Sequence, residues 1–483
     1  MSTASKPQLK HSLTEGPIWK ALVRLSVPII AANILQVGYQ LTDTFWVGRI
    51  SAQAVAAVSL CFPINFLCIS LGGGLPIAGT VLIAQFRGKG DDRAVNHVAG
   101  QTLLLCLAVA LVLATVGFVF SNPIIRFMGA APDVLPDGVR FLQVTFLGFI
   151  FVFGFFAYQA LMRGLGTVYP PMFIVLATVI LNFILDPFFI FGFGPVPAMG
   201  VAGAAMATLC TQAVATFIGL YLLTRKQTGI HLHLSDFRPD WKIIGTLVKV
   251  GAPASIEQST QALGMTLMML LVSTFGTNPV AAYGIGTRVL SCAIIPAMGL
   301  SIATSTLVGQ NIGANRMKRA VQTCNISCAI IFGVLVTASL IFYFAAQPVT
   351  EFFIPKGGEA IDESVVFIRI ISVSFGFIGL QQVLTGTLRG AGDTFAPMLL
   401  AIISLWVLRF PLAYVLSKHT QMGAAGIWWA VTISIIASAV LAFIYYLRGT
   451  WKQRRLLDDV QADTAKLEDS AERQMAMEEG LPF

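Results

Sequence analysis

Twelve apolar stretches alternate with short polar segments along this chain, at about 18–47, 52–84, 95–120, 138–163, 168–193, 199–224, 241–273, 279–308, 318–345, 364–388, 394–417 and 422–448. Crossing about 30 Å of hydrocarbon takes roughly 20 helical residues, and each stretch supplies them. A backbone in lipid must bond its own N–H and C=O groups, so runs of this kind predict membrane-spanning helices and an all-α polytopic fold. The first run follows a polar stretch and is too long for a signal h-region, so the N-terminus is expected to be retained.

The pattern repeats. Residues 28–88 align with 253–313 without a gap, so that Pro28 meets Pro253, Val55-Ala56-Ala57 meets Val280-Ala281-Ala282, Gln85 meets Gln310 and Gly88 meets Gly313. Further on, Arg163-Gly164-x-Gly166 meets Arg389-Gly390-x-Gly392, and Met199-Gly200-x-Ala202-Gly203 meets Met422-Gly423-x-Ala425-Gly426. Each half has an even number of segments, so both enter the membrane from the same side, and the repeat is expected to be parallel about an axis along the membrane normal. The expected architecture is an arm (1–17), a lobe of six helices (18–224), a linker (225–240), a second six-helix lobe (241–448) and a tail (449–483), with a central cavity between the lobes. Two lobes that rock against each other can expose a site to alternate sides, which is a transporter design.

Composition adds little to the class, at 56% hydrophobic and 11% charged residues, but the net charge of +8 needs an explanation. Most of the 31 Lys and Arg fall on the side of the N-terminus: Lys6, Lys10, Lys20 and Arg24, then Arg87, Lys89 and Arg93, the 225–249 linker region, Arg316, Lys318 and Arg319, and the tail. The other side has Arg49, Arg126, Arg140, Lys356, Arg369 and Lys418, and Arg288 and Arg409 lie inside apolar segments. The positive-inside rule accounts for this bias, with both termini cytoplasmic in an inner or plasma membrane. Nucleic acid is not needed as a partner. The seven cysteines, an odd number in or beside apolar segments, read as small core residues. His231 and His233 beside Asp236 lack a third and fourth ligand at metal spacing and read as a solvated loop. The tail mixes acids and bases (Asp458, Asp459, Asp463, Glu468) and reads as a frayed or surface helix without a transport role. Gly72-Gly73-Gly74 with Pro76, and Pro28, Pro63, Pro187, Pro253, Pro296 and Pro411, are expected to interrupt helices, with close packing through small residues the alternative for any one glycine. The triple glycine has no strand before it and no Lys-Ser/Thr after it, which excludes a nucleotide-binding loop and ATP as the driving force.

Three acids, Asp43, Asp186 and Glu257, sit inside apolar runs. A charge at mid-membrane costs several kcal/mol, so such residues face a bundle interior or wet cavity and serve function there. Gln36, Tyr39 and Asp43 are spaced three and four apart, and Asn182 and Asp186 four apart, so each set shares a helix face. Asp43, Asp186 and Thr208 fall at similar depth, so two carboxylates, an amide and a hydroxyl can converge. Such a group suits a carboxylate pair that carries a proton, or hard oxygen ligands for Na⁺. In the other half Asp43 aligns with Met268, and the counterpart of Asp186 falls near Leu412, so only one lobe holds the acid pair. Glu257 either pairs with Arg288 or Arg409 or faces the cavity to attract cations; Gln258, Gln261, Met265, Met268 and Met269 would form a deformable cavity wall beside it.

These motifs, with the Pro28-to-Asp43 first helix, the Gln85-x-x-Gly88 and Gln310-x-x-Gly313 turns and the twin Arg-Gly-x-Gly loops, resemble the multidrug and toxic compound extrusion (MATE) family over roughly residues 18–448. The chain is most similar to its DinF-like branch, whose helix-one aspartate and helix-five Asn-x-x-x-Asp form an N-lobe cation site; here these are Asp43 and Asn182 with Asp186. The NorM-like branch uses a C-lobe acid pair, where this chain has Gln261 and Ile378. The resemblance implies no enzyme activity and no cofactor beyond H⁺ or Na⁺ as coupling ion. The expected function is exchange of that ion for an organic, cationic amphiphile by a monomer in lipid. A lipid-linked oligosaccharide flippase is the first alternative and would need more cavity arginines; an intramembrane enzyme is the second and lacks a nucleophile with its base.

Overall fold

A computed structural model describes residues 13–195, 197–225, 229–354, 358–454 and 456–457. Lys6, Lys10, Lys226, Lys356 and the acids of the tail lie outside the described residues. The N-terminal half forms α1 (Ile18–Val47), α2 (Ala52–Lys89), α3 (Asp92–Phe127), α4 (Leu135–Leu165), α5 (Tyr169–Phe191) and α6 (Val201–Thr224). The C-terminal half forms α7 (Trp241–Ser273), α8 (Thr277–Gly313), α9 (Met317–Phe344), the short α10 (Ala346–Phe353), α11 (Glu359–Ser372), α12 (Phe375–Gly390), α13 (Phe395–Ile402), α14 (Phe410–Lys418) and α15 (Ala424–Arg448). Among the described residues ten helical spans are long and apolar enough to cross a membrane, and the bent pair α11–α12 makes eleven. The remaining repeat element, α7, carries Glu257, Gln258 and Gln261, which lower its apolarity. Helices outrun the apolar stretches at their ends because capping continues there: Ser51 and Asp91 accept from the Ala54 and Ala94 N–H groups, and Gly90, in the left-handed region, ends α2.

The sequence repeat is also a backbone repeat. Gly200 before α6 has φ 57° and ψ −131°, and its counterpart Gly423 before α15 has φ 54° and ψ −134°. Only glycine enters that region without strain, which is why both loops keep it.

Of the expected proline interruptions only that at Pro411 coincides with an irregularity, since it stands in the first turn of α14 directly after a π-helix. α1, α2, α5, α7 and α8 run unbroken through Pro28, Pro63, Pro76, Pro187, Pro253 and Pro296. Apart from that π-helix, Ile403–Arg409, between α13 and α14, the chain bends by 47° between α11 and α12. The glycines act instead as contact surfaces. A β-carbon on Gly74 would strike the Gly251 carbonyl and Ser255 of α7, so α2 and α7 meet with almost no side chain between them.

The two lobes are sealed at the end that carries the basic residues. Gln85 and Gln310 cross the seam reciprocally: Gln85 Nε2 donates to the Gly390 carbonyl at 3.0 Å, and Gln310 Nε2 to the Gly164 carbonyl at 2.9 Å. A β-carbon on Gly88 would strike the Gln310 carbonyl, and one on Gly313 the Gln85 carbonyl. The arm adds a strap, because Arg316, just ahead of α9, and Arg319 of α9 donate to the carbonyls of Thr14, Glu15 and Gly16 ahead of α1. Towards the opposite end the same helices lose this cover, and Gln36, Gln40, Gln53 and Gln261 are exposed. The lobes thus close on each other at the basic end. Gly88→Val is therefore expected to wedge the basic end open. Pulsed electron resonance between spin labels placed through Arg93→Cys and Lys318→Cys should show a longer distance in that variant; an unchanged distance would mean that the seam yields without lobe movement.

The chain after α15 is also firmer than its composition predicts. Trp451 is fully buried and stacks on Tyr446 with ring centroids 5.4 Å apart, and Leu456 covers Gly392. The rest of the tail, from residue 458, lies outside the described residues.

Candidate functional site

Tyr39 and Asp43 leave α1 on one face and enter the N-terminal lobe. Tyr39 is buried and its hydroxyl shares a hydrogen bond with Thr211 of α6, while Thr208, one turn earlier, donates to Asp43 Oδ2 at 3.4 Å. From α5, Asn182 and Asp186 are both fully buried, and Asn182 Nδ2 donates to Asp186 Oδ1 at 3.2 Å. The Asp43 and Asp186 carboxyls lie close enough to interact electrostatically. The structure thus brings Tyr39, Asp43, Asn182, Asp186 and Thr208 together. Gln36 is exposed one turn away and joins none of them.

Three oxygens of this cluster, Asp43 Oδ1, Asn182 Oδ1 and Asp186 Oδ2, are enclosed without a hydrogen-bond donor. Each such group costs about 1–3 kcal/mol, and more when charged. Two neighbouring carboxylates with spare acceptors lack positive charge, which a shared proton or a small oxygen-liganded cation would supply.

Glu257 departs from both expected pairings. It is almost fully buried and accepts from Arg389 Nη2 at 2.6 Å, with side-chain exposures of 4% and 17%. Arg288 instead lies over the Phe353 ring, and Arg409 bonds Ser434. Arg389 stands in the last turn of α12, and its long side chain reaches Glu257 of α7. The repeat explains the asymmetry: the counterparts, Arg163 and Ala32, line one small pocket in the N-terminal lobe, where Arg163 bonds Gln159 instead of an acid. Sequence could have indicated the pair, since the position of Ala32 becomes acidic in the half whose Arg-Gly-x-Gly arginine it faces.

Of the expected cavity wall, Gln258 packs against Gly73 of α2 at the seam, Gln261, Met265 and Met269 are exposed, and Met268 is buried. Among the described residues no group of three or more His, Cys, Asp or Glu side chains is placed to hold a metal ion. His97 of α3, not His231 or His233, meets the linker acids, with Nε2 3.1 Å from Asp240 Oδ2. Burial pushes the Asp240 carboxyl up, but bonds from His97 and from the Lys242 and Ile243 N–H groups hold it below the usual carboxylate value.

Comparison with known proteins follows the repeat. The MatE family model matches twice, over residues 28–188 and 253–415. The chain is 30% identical to the probable multidrug resistance protein YoeA of Bacillus subtilis over 95% of this chain and all of that one. It is 26% identical to the FAD transporter of Shewanella oneidensis, covering 94% of this chain and 99% of that one. A solved structure of a multidrug resistance MATE family transporter in an outward-facing conformation superposes with a TM-score of 0.85 at 25% identity, covering 91% of this chain and 98% of that one. With a family model accounting for most of both lobes and a relative matched along nearly its whole length, this chain belongs to the MatE family of multidrug efflux transporters.

Proposed function

We propose that the chain is a proton-coupled exporter of organic cationic amphiphiles, in which protonation of the Asp43–Asp186 pair drives alternating access. The three donorless oxygens around that pair carry the reading, since they mark where one positive charge is missing. As a monomer in an inner or plasma membrane with both termini cytoplasmic, the protein in this conformation is closed to the cytoplasm and open outward. Protonation from outside removes the repulsion between the carboxylates, lets α1 and α5 close together and weakens the grip on a cation; release of the proton inside restores it. Sodium is the second reading, because Asp43, Asn182, Asp186 and Thr208 present four hard oxygen donors. The test is a proteoliposome loaded with a pH gradient: tetraphenylphosphonium should dissipate the gradient through the protein, equally with and without sodium. Dissipation that needs sodium would select the second reading.

A carboxylate pair that repels itself exchanges one proton per cycle. One proton in for one monovalent cation out moves no net charge, so only the pH difference acts, at about 1.4 kcal/mol or roughly tenfold accumulation per pH unit. Transport is therefore expected to persist under valinomycin-imposed potentials and to collapse with nigericin. Stimulation by a potassium-diffusion potential at fixed pH would mean a further charge is carried, worth about 2.3 kcal/mol per 100 mV.

A further inference from the structure

Asn96, His97, Gly100 and Gln101 share one face of α3, and the linker between the lobes is tied to that face. Asn96 Oδ1 accepts from the His231 N–H at 2.9 Å; Gln101 Nε2 donates to the carbonyls of Asp236 and Arg238, both at 2.7 Å, and its Oε1 accepts from the Asp240 N–H at 3.0 Å. A β-carbon on Gly100 would strike the Asp236 carbonyl. His97 lies among these ties, with Nδ1 3.7 Å from Asp236 Oδ1 and Nε2 3.1 Å from Asp240 Oδ2. Asp240 is also the N-cap of α7, where its Oδ1 accepts from the Lys242 and Ile243 N–H groups. The ring thus joins α3 of the first lobe to the head of the first helix of the second.

A neutral imidazole has one N–H and can serve only one of the two acids, whereas a protonated ring presents an N–H to both. The side chains of His97, Asp236 and Asp240 are 30%, 14% and 33% exposed, so water reaches the ring while the acids stay close enough to act on it. The other charged or titratable groups around it are Arg93, one turn earlier on α3, His233 and Arg238 of the linker and Lys242 of α7. Arg93 and Arg238 are exposed, and solvent screens their repulsion, while the backbone N–H groups of His233 and Lys242 hold oxygens of the two acids. The linker is the covalent join of the lobes, and parting them at the basic end draws the head of α7 away from α3. The ring between two acids therefore belongs to the closed state, and a proton bound there favours that state.

We propose that His97 is a binding site for a cytoplasmic proton, apart from the Asp43–Asp186 pair, and that the protonated ring holds the lobes together at the basic end. An exporter has to open that end to load substrate, so the bound proton acts as a brake. A protein that imports protons then slows as the cytoplasm acidifies. The brake rests on the exporter reading for its effect on transport, not for its effect on the lobes.

The experiment uses the full chain in nanodiscs and pulsed electron resonance between spin labels attached through Lys89→Cys and Lys318→Cys, with the native cysteines replaced by alanine. His97→Gln keeps a hydrogen-bonding side chain of similar size but takes up no proton. At pH about 6 the ratio of closed to open molecules should be about threefold higher with His97 than in His97→Gln. At pH about 8 the two should agree, because an ordinary imidazole loses its proton between these values. The Asp43–Asp186 pair is present in both proteins, so its own titration cancels from the comparison. Asp240→Asn keeps an N-capping side chain and removes one of the two charges; it should behave like His97→Gln, and it decides the matter if that variant does not fold. Equal ratios at the lower pH, or a difference that persists unchanged at the higher, overturn the proposal. In proteoliposomes at a fixed pH difference, lowering the internal pH should slow tetraphenylphosphonium export by wild-type protein more than by His97→Gln, and equal slowing overturns the brake. Absence of export from every variant would defeat the exporter reading and leave the spin-label result standing.

Discussion

Asp43→Asn and Asp186→Asn are each expected to reduce gradient-driven export to the rate of protein-free vesicles. Asparagine keeps the size and the hydrogen bonds of the carboxylate but carries no proton, and in a pair that shares one proton the loss of either member ends the exchange. Both variants should still insert and fold, because removing a charge from membrane depth relieves a cost of several kcal/mol. Export and melting temperature measured on the same preparation separate the two effects. A variant that exports at the wild-type rate would make that residue structural and dismantle the site. Thr211→Val should cost far less, since Thr211 touches the pair only through Tyr39 and the backbone carbonyl of Thr208.

Glu257→Gln should lower the melting temperature in every ligand state. Its bond to Arg389 is 2.6 Å long and nearly dry, and breaking a buried pair by deleting one partner costs about 3–5 kcal/mol, because the other charge is left uncompensated. Arg389→Gln should act in the same direction. The double variant should be more stable than the sum of the singles predicts, by an interaction of about 1–3 kcal/mol. Normal melting of the single variants would show that water, not Glu257, compensates Arg389.

The sequence alone determined much of this protein. Helical fold class follows from run length, because a backbone in lipid has no other way to satisfy its polar groups than a helix or a closed barrel. The two-lobe repeat follows from one register held over many segments, and the family model finds the same two matches. The composition of the N-lobe cluster was legible because α1 and α5 are regular, and regular helices put residues three and four apart on one face. What was not legible depends on where helices end up relative to each other. Arg389 lies 132 residues from Glu257, near the basic end by its place in the chain, and only the tertiary structure brings the two side chains together. The 47° bend likewise falls between α11 and α12 where no proline stands, while Pro28, Pro63, Pro76, Pro187, Pro253 and Pro296 lie inside continuous helices, because a proline's missing N–H is tolerated where neighbouring groups re-satisfy the backbone. The closed basic end was beyond sequence for the same reason: Gln85 and Gln310 are visible as a repeated motif, but that each bonds the opposite lobe's Arg-Gly-x-Gly loop is a property of how the two repeats dock, and docking is decided by shape at the contact.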